Sequence, residues 1–190
     1  MWGGAMLSLK TVGRRFEVTL KVIEGGTGQV TGVLIETDQT QAPSYVFVPP
    51  RRIFRVNTPT VLQLGMVLQS PHGMRYLIGA NGPSEQPEGV LWQSYRLYQV
   101  TQQVEWKRRT KVKHPVTNEY TDGPMQSLGF IWAVIEPTDR EELDRRAHLS
   151  AEKARVLTGR EILADDLLVG ENTYEVIRSD KVLGLRVGFL

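Results

Sequence analysis

Alternation is the feature that most limits how this chain can fold. In residues 16–23, FEVTLKVI, large apolar and polar side chains exchange places almost position by position, the period of a strand with one buried face. Gly25-Gly26-Thr27-Gly28 breaks the run and QVTGVLIET (29–37) resumes it. A glycine-rich break between two alternating runs predicts a hairpin. MVLQS (66–70) and MRYLIGA (74–80) repeat the arrangement around Pro71-His72-Gly73. SYVFVPPRRIFRV (44–56) is β-branched and aromatic, with Pro49-Pro50 expected at a bend or edge because proline cannot donate to a ladder. WQSYRLYQVTQQVEWKRR (92–109) reads as one long alternation, with Tyr95 and Leu97 on one face and Arg96 and Tyr98 on the other.

HPVTNEYTDGP (114–124) is dense in turn formers and predicts a long projecting connection. SLGFIWAVIEP (127–137) is a strand stopped by Pro137. One helix signal follows. Thr138 with Glu141 three residues on forms a capping box, and Asp139, Glu141 and Glu142 suit a helix N-terminus, predicting a short helix near 139–148. SAEKARVL (150–157) fits a second helix or a strand, and 161–190 is again β-rich. The expected fold is mainly β: one or two small antiparallel β-barrels or sandwiches with long hairpin loops. Residues 1–100 would form an N-terminal β domain or barrel half and 101–190 a C-terminal barrel.

A weak internal echo supports that division. VLQLGMVLQSPHGMRYLI (61–78) and ILADDLLVGENTYEVI (162–177) share an apolar pair, a Gly or Asp before three hydrophobic residues, a Gly-containing turn and a returning Tyr. Each reads as a hairpin anchored by Tyr76 or Tyr174.

Composition removes several classes of function. The 190 residues hold no cysteine, so disulfides and thiol chemistry are absent and a structural zinc site is not expected. The three histidines, His72, His114 and His148, form no ligand pair at helical spacing, and no metal or cofactor is expected. No apolar run of membrane-spanning length occurs, and the first residues lack a secretion signal's basic and apolar regions. Net charge is only +2, but five bases against one acid fall in 105–113, EWKRRTKVK, and three bases in 49–55. Arg51, Arg52, Arg55, Lys107, Arg108, Arg109, Lys111 and Lys113 are therefore candidates to face an acidic partner or DNA phosphate. The alternative is a solvated strand face.

Catalytic spacing is missing. Asp165, Asp166 and Glu171 are the best carboxylate cluster, but adjacent acids on a strand point to opposite faces and read as acids of a closing hairpin with its turn at Gly170. Gly25–Gly28 lacks the Lys-Ser/Thr that a phosphate loop needs and reads as a hairpin tip. Ser127 and Ser150 lack a nucleophile-elbow context. Trp106 and Trp132 are expected as fold or interface anchors.

The second half resembles the head-closure or head–tail connector proteins of tailed bacteriophages. The likeness rests on Val104-Glu105-Trp106-Lys107-Arg108-Arg109, Pro115-Val116-Thr117-Asn118, residues 128–137 LGFIWAVIEP, Glu141-Glu142-Leu143 and the hairpin at 165–177, and covers about residues 100–190. It implies a non-enzymatic virion protein of the neck or tail region, made in the host bacterial cytoplasm. Such a protein forms a sixfold or twelvefold ring joining portal or adaptor to tail proteins, with non-specific contact to DNA passing through its channel. His114, Pro115, Asn118, Tyr120 and Asp122 would then belong to a docking or lumen loop. The alternatives are a nucleic-acid-binding barrel of the OB type or another tail subunit, such as a terminator, tube or baseplate protein.

Overall fold

The computed structural model describes residues 17–36, 52–57, 62–81, 92–137, 154–182 and 185–190. All regular structure among them is strand. The elements are β1 (Glu17–Glu24), β2 (Gln29–Glu36), β3 (Arg52–Asn57), β4 (Val67–Gln69), β5 (Arg75–Asn81), β6 (Trp92–Gln99), β7 (Gln102–Lys113), β8 (Tyr120–Pro137), β9 (Ala154–Thr158), β10 (Leu167–Val169), β11 (Thr173–Glu175), β12 (Arg178–Val182) and β13 (Leu185–Phe189). The short helix expected at 139–148 lies outside the described residues, as do Pro49-Pro50 and Arg51. The ambiguous segment at 150–157 resolves into strand, since Ala154–Thr158 is β9 and its side chains are all buried.

The chain forms two units, Met1–Gln99 and Val100–Leu190. The apparent single run at 92–109 therefore breaks, β6 ending at Gln99 and β7 beginning at Gln102. The first unit is a closed antiparallel barrel in the order β1-β2-β3-β6-β5-β4. Alternation sends Leu20, Val22, Val30, Phe54, Val56, Tyr95 and Leu97 inward, where they meet Leu68, Tyr76 and Ile78. Gly32 lets the Phe54 ring lie against its strand: a Cβ there would collide with the Arg55 carbonyl and fall 2.9 Å from the ring.

The second unit is a seven-stranded sheet, β11-β10-β7-β8-β9-β13-β12. Its two end strands, β11 and β12, are consecutive and separated only by Val176 and Ile177. The sheet is thus curled into a second, open barrel, whose end strands are linked only by the chain through one kinked segment. If β11 and β12 are taken as one interrupted strand, the order repeats that of the first barrel, with that strand in the place of β5.

The internal echo is realised bond by bond. Gly65 N–H donates to Ile78 O at 2.8 Å, Ile78 N–H to Met66 O at 2.9 Å, and Met66 N–H to Gln63 O at 3.3 Å. Asp165 N–H donates to Val176 O at 2.8 Å, Val176 N–H to Asp166 O at 2.9 Å, and Asp166 N–H to Leu163 O at 3.3 Å. Leu68 pairs with Tyr76 as Leu168 pairs with Tyr174. Gly65 and Asp165 both take positive φ, +85° and +68°, a region an Asp tolerates better than most side chains. Leu62 and Ile162 are both buried.

The two cores fill the equivalent space differently. In the first barrel Tyr95 stands on β6 opposite Phe54, and its hydroxyl accepts a bond from Leu62 N–H at 3.0 Å. In the second, Gly188 occupies the matching place on β13 opposite Val156, and a Cβ there would lie 2.6 Å from Val156 Cγ1 and 2.7 Å from Ile162 Cδ1. Ile162 therefore takes the room that an aromatic ring takes in the first barrel. We expect Gly188→Ala to destabilise by about 1–3 kcal/mol through overpacking. In a double-mutant cycle with Ile162→Ala, the combined loss should be smaller than the sum, because the two changes meet in one space; denaturant melts of the four proteins measure this.

A clamped hairpin arm as the candidate functional site

Strands β1 and β2 turn back at once through Gly25–Gly28, where Val22 N–H donates to Gly28 O at 2.9 Å. Their counterparts β7 and β8 do not. The ladder passes Trp106↔Gly129 and continues to Lys113↔Tyr120. Residues 107–127 form an arm that the first barrel lacks.

The turn formers at 114–124 predict a long connection, and the structure corrects its extent. The turn is only Pro115–Asn118, closed by His114 N–H to Glu119 O at 2.7 Å and Asn118 N–H to His114 O at 3.1 Å, with Asn118 at φ +58°. His114 Nδ1 faces the amides of Val116 and Thr117 as acceptor, at 3.4 and 3.3 Å. Tyr120 and Asp122, expected in the loop, stand on β8. Gly123-Pro124 does not end the strand because it is absorbed as a bulge opposite Thr110, whose hydroxyl donates to Pro124 O at 3.0 Å. A second irregularity at Leu128 uses Gly129, at φ +103°. Both bulges lie on β8, so β7 keeps its alternation unbroken.

That unbroken parity sorts the basic run. Val104, Trp106 and Arg108 point to the interior side, while Glu105, Lys107, Arg109, Lys111 and Lys113 share the other face. The Lys107–Glu105 ion pair at 3.0 Å reports that shared face. Ser127 and then Lys107 hold the Glu105 carboxyl below its ordinary range by hydrogen bonding.

Arg108, expected among partner-facing cations, is engaged internally. Its Nε donates to Asp166 Oδ1 at 2.8 Å and its Nη2 to Oδ2 at 2.8 Å, with a further bond from Nη2 to Glu161 O at 2.7 Å. Trp106 Nε1 donates to Asp166 Oδ2 at 2.9 Å, and Leu163 N–H to the same oxygen at 2.8 Å. The guanidinium stands 5.0 Å from the Trp106 ring centroid, a cation–π distance. Asp166 is 1% exposed, so a bidentate arginine, an indole and a backbone amide satisfy a carboxylate removed from water. The matching residue of the first barrel, Met66, packs instead against Gly25 and Gly26 of the short turn. One position of the repeat thus braces the hairpin in each barrel, by apolar contact in one and by an ion pair in the other.

The carboxylates Asp165, Asp166 and Glu171, read from the sequence as acids of a closing hairpin, differ in their surroundings. Asp166 is consumed by the clamp, while Asp165 and Glu171 are exposed. Among the described residues no group of three His, Asp or Glu side chains is placed to hold a metal ion. A groove of about 440 Å³ runs between the arm root and the β10–β11 hairpin, with Arg109, Lys111 and Asp122 on the arm and Asp165 and Glu175 across from it. Of the expected anchors, Tyr76 is 1% exposed in the first core, Trp106 and Tyr174 pack against the second, and Trp132 is half-buried on β8. Arg52 lies over the Tyr76 ring at 5.7 Å, and Arg55 is half-buried on β3. Both belong to the first unit, away in sequence from the arm cations.

The signal that could have revealed the clamp is the internal repeat. It sets the charged Asp166 at the place of Met66, and β7 parity puts Trp106 and Arg108 on the interior side with Val104.

Burial alone would raise the Asp166 pKa, but the bonds from Arg108, Leu163 and Trp106 and the Arg108 charge outweigh it and hold the carboxyl below its ordinary range. A depressed carboxylate stabilises the fold above its unfolded-state pKa, and this contribution fades as pH falls through the folded value. Asp166→Asn should therefore cost about 3 kcal/mol at neutral pH and lose part of the wild type's acid dependence below about pH 4. Melting temperature against pH for the two proteins measures both.

Comparison with family models, with curated proteins and with solved structures finds no match to this chain.

Proposed function

We propose that this protein is a non-catalytic assembly subunit of a tailed-phage neck, forming a ring that connects portal or adaptor to tail and lets DNA pass. The observation that supports this reading best is the arm. It is a two-stranded ribbon whose residues from Arg109 to Asp122 are exposed on both faces apart from half-buried Thr110, and an isolated hairpin of this kind is marginal in water unless it packs on something. It also carries exposed apolar side chains, Val112 at 51%, Val116 at 82% and Tyr120 at 66%. A half-buried arginine paired with a buried carboxylate braces its root, which suits an element that must hold its direction while it docks. The likeness of 100–190 to connector proteins points the same way. A second reading, a nucleic-acid-binding barrel, draws on Lys107, Arg109, Lys111 and Lys113 sharing one face with Tyr120.

Mass photometry of the purified chain, alone and with a cognate portal protein, separates the two. The connector reading expects a ring of defined stoichiometry or a portal-bound complex, and both should weaken when residues 111–122 are replaced by a short Gly-containing turn. A chain that stays monomeric, ignores the portal and binds single-stranded DNA tightly with steep salt dependence would establish the nucleic-acid reading instead.

A further inference from the structure

Charge in the second unit is segregated. The arm run 105–113 holds five bases against one acid, whereas residues 161–180, which carry β10, β11 and the start of β12, hold six carboxylates against one arginine. One of those carboxylates, Asp166, is satisfied within the chain by Arg108. Others are not. Asp165, Glu171 and Glu175 are exposed, as are Arg109, Lys111 and Lys113, and none of these six makes an ion pair of 4 Å or less among the described residues. The groove brings Arg109 and Lys111 near Asp165 and Glu175 without pairing them.

Both surfaces also carry apolar side chains. Tyr120 stands exposed across from Lys113 on the cation face, with Val112 exposed on the other face of the ribbon, and Leu163 at 44% and Ile177 at 50% flank the acidic hairpin. Apolar contact ringed by complementary charge is the composition of a protein–protein interface. The arm and the hairpin share that groove at their roots, but Lys113 and Tyr120 on the arm and Glu171 on the hairpin lie outside its lining, so the outer surfaces are different patches of one chain and a contact between copies is heterologous. Such contacts generate rings when the rotation closes.

We infer that the β7–β8 arm of one copy docks on the acidic β10–β11 hairpin of the next, Lys111 and Lys113 of the arm meeting Glu171 and Glu175 of the neighbour. This contact is the repeating bond of the assembly, and the inference rests on the ring-forming reading above. It accounts for why the second barrel has an arm and the first has only a glycine turn: one arm and one acceptor per chain suffice for a head-to-tail ring. It also accounts for a net charge of only +2 on a chain with so basic a strand.

Charge reversal of the full chain tests it. Lys111→Glu with Lys113→Glu reverses the arm, Glu171→Lys with Glu175→Lys reverses the acceptor, and a third chain carries all four changes. All are exposed and lie outside the Asp166 clamp, so unchanged circular dichroism and melting establish that each variant is folded. By sedimentation velocity each reversed pair should weaken self-association at least about tenfold, and the fourfold variant should recover it. An equimolar mixture of the two single-surface variants should also assemble, with the two chains alternating.

If the wild type forms rings and the reversed variants do so equally, the docking inference is overturned and the connector reading stands. If the fourfold variant fails to recover, charge pairing between these surfaces is likewise overturned. A wild type that is monomeric at every concentration removes both. Loss of binding to a DNA oligonucleotide on arm reversal, with association unchanged, assigns the arm to nucleic acid instead.

Discussion

A carboxylate sealed from water must be matched by donors, and in this protein the match made by Asp166 sets how the second barrel meets its arm. Asp166 sits in the turn before β10, yet its four short bonds reach β7 through Trp106 and Arg108 and its own loop through Leu163. Removing Arg108 would leave Asp166 as a buried charge, far costlier than the pair's net contribution, whereas the half-buried Arg108 could still reach water if Asp166 were lost. The clamp is therefore a device for geometry more than for stability. It fixes the direction in which β7 leaves the barrel, because two successive interior-facing residues of that strand are held at one point. Beyond Arg108 nothing comparable grips the ribbon among the described residues, and its side chains open to solvent.

The two barrels show how little sequence a shared topology requires. Their hairpins at β4–β5 and β10–β11 agree in three backbone bonds, in register and in a positive-φ residue. Elsewhere they agree only in which positions face inward. Tyr95 in one core and Ile162 with Gly188 in the other fill the same place with different chemistry. Volume and parity are conserved between the halves while side-chain identity is not, as expected of cores that tolerate repacking when patterning is kept.

Much of this architecture is legible in the amino-acid sequence alone. The strands around Gly25–Gly28 and Pro71–Gly73, the inward set on β6 and the echo between 61–78 and 162–177 follow from alternation and turn chemistry. Three things are hidden there, each for a physical reason. The break after Gln99 carries no Gly or Pro, so two strands read as one. Asp122-Gly123-Pro124 looks like a turn because those residues favour turns, but a bulge lets a strand absorb them. The Asp166–Arg108 pair joins residues 58 positions apart, and no local pattern encodes a partner at that distance. Arg108 counts as one more base in a basic run until strand parity separates it from Arg109.

The glycine turn at Gly25–Gly28 and the arm at 107–127 are two answers to the same local question, how to connect the first two strands of a barrel. Lengthening a hairpin adds cross-strand pairs next to each other in sequence, so the added residues zip locally and leave barrel closure, the slow non-local step, unchanged. This corner of the fold is where such a chain can gain or lose reach with no redesign of its core. Differences among chains built on this fold should accumulate there first, as changes in span and charge of a single ribbon on an otherwise constant body.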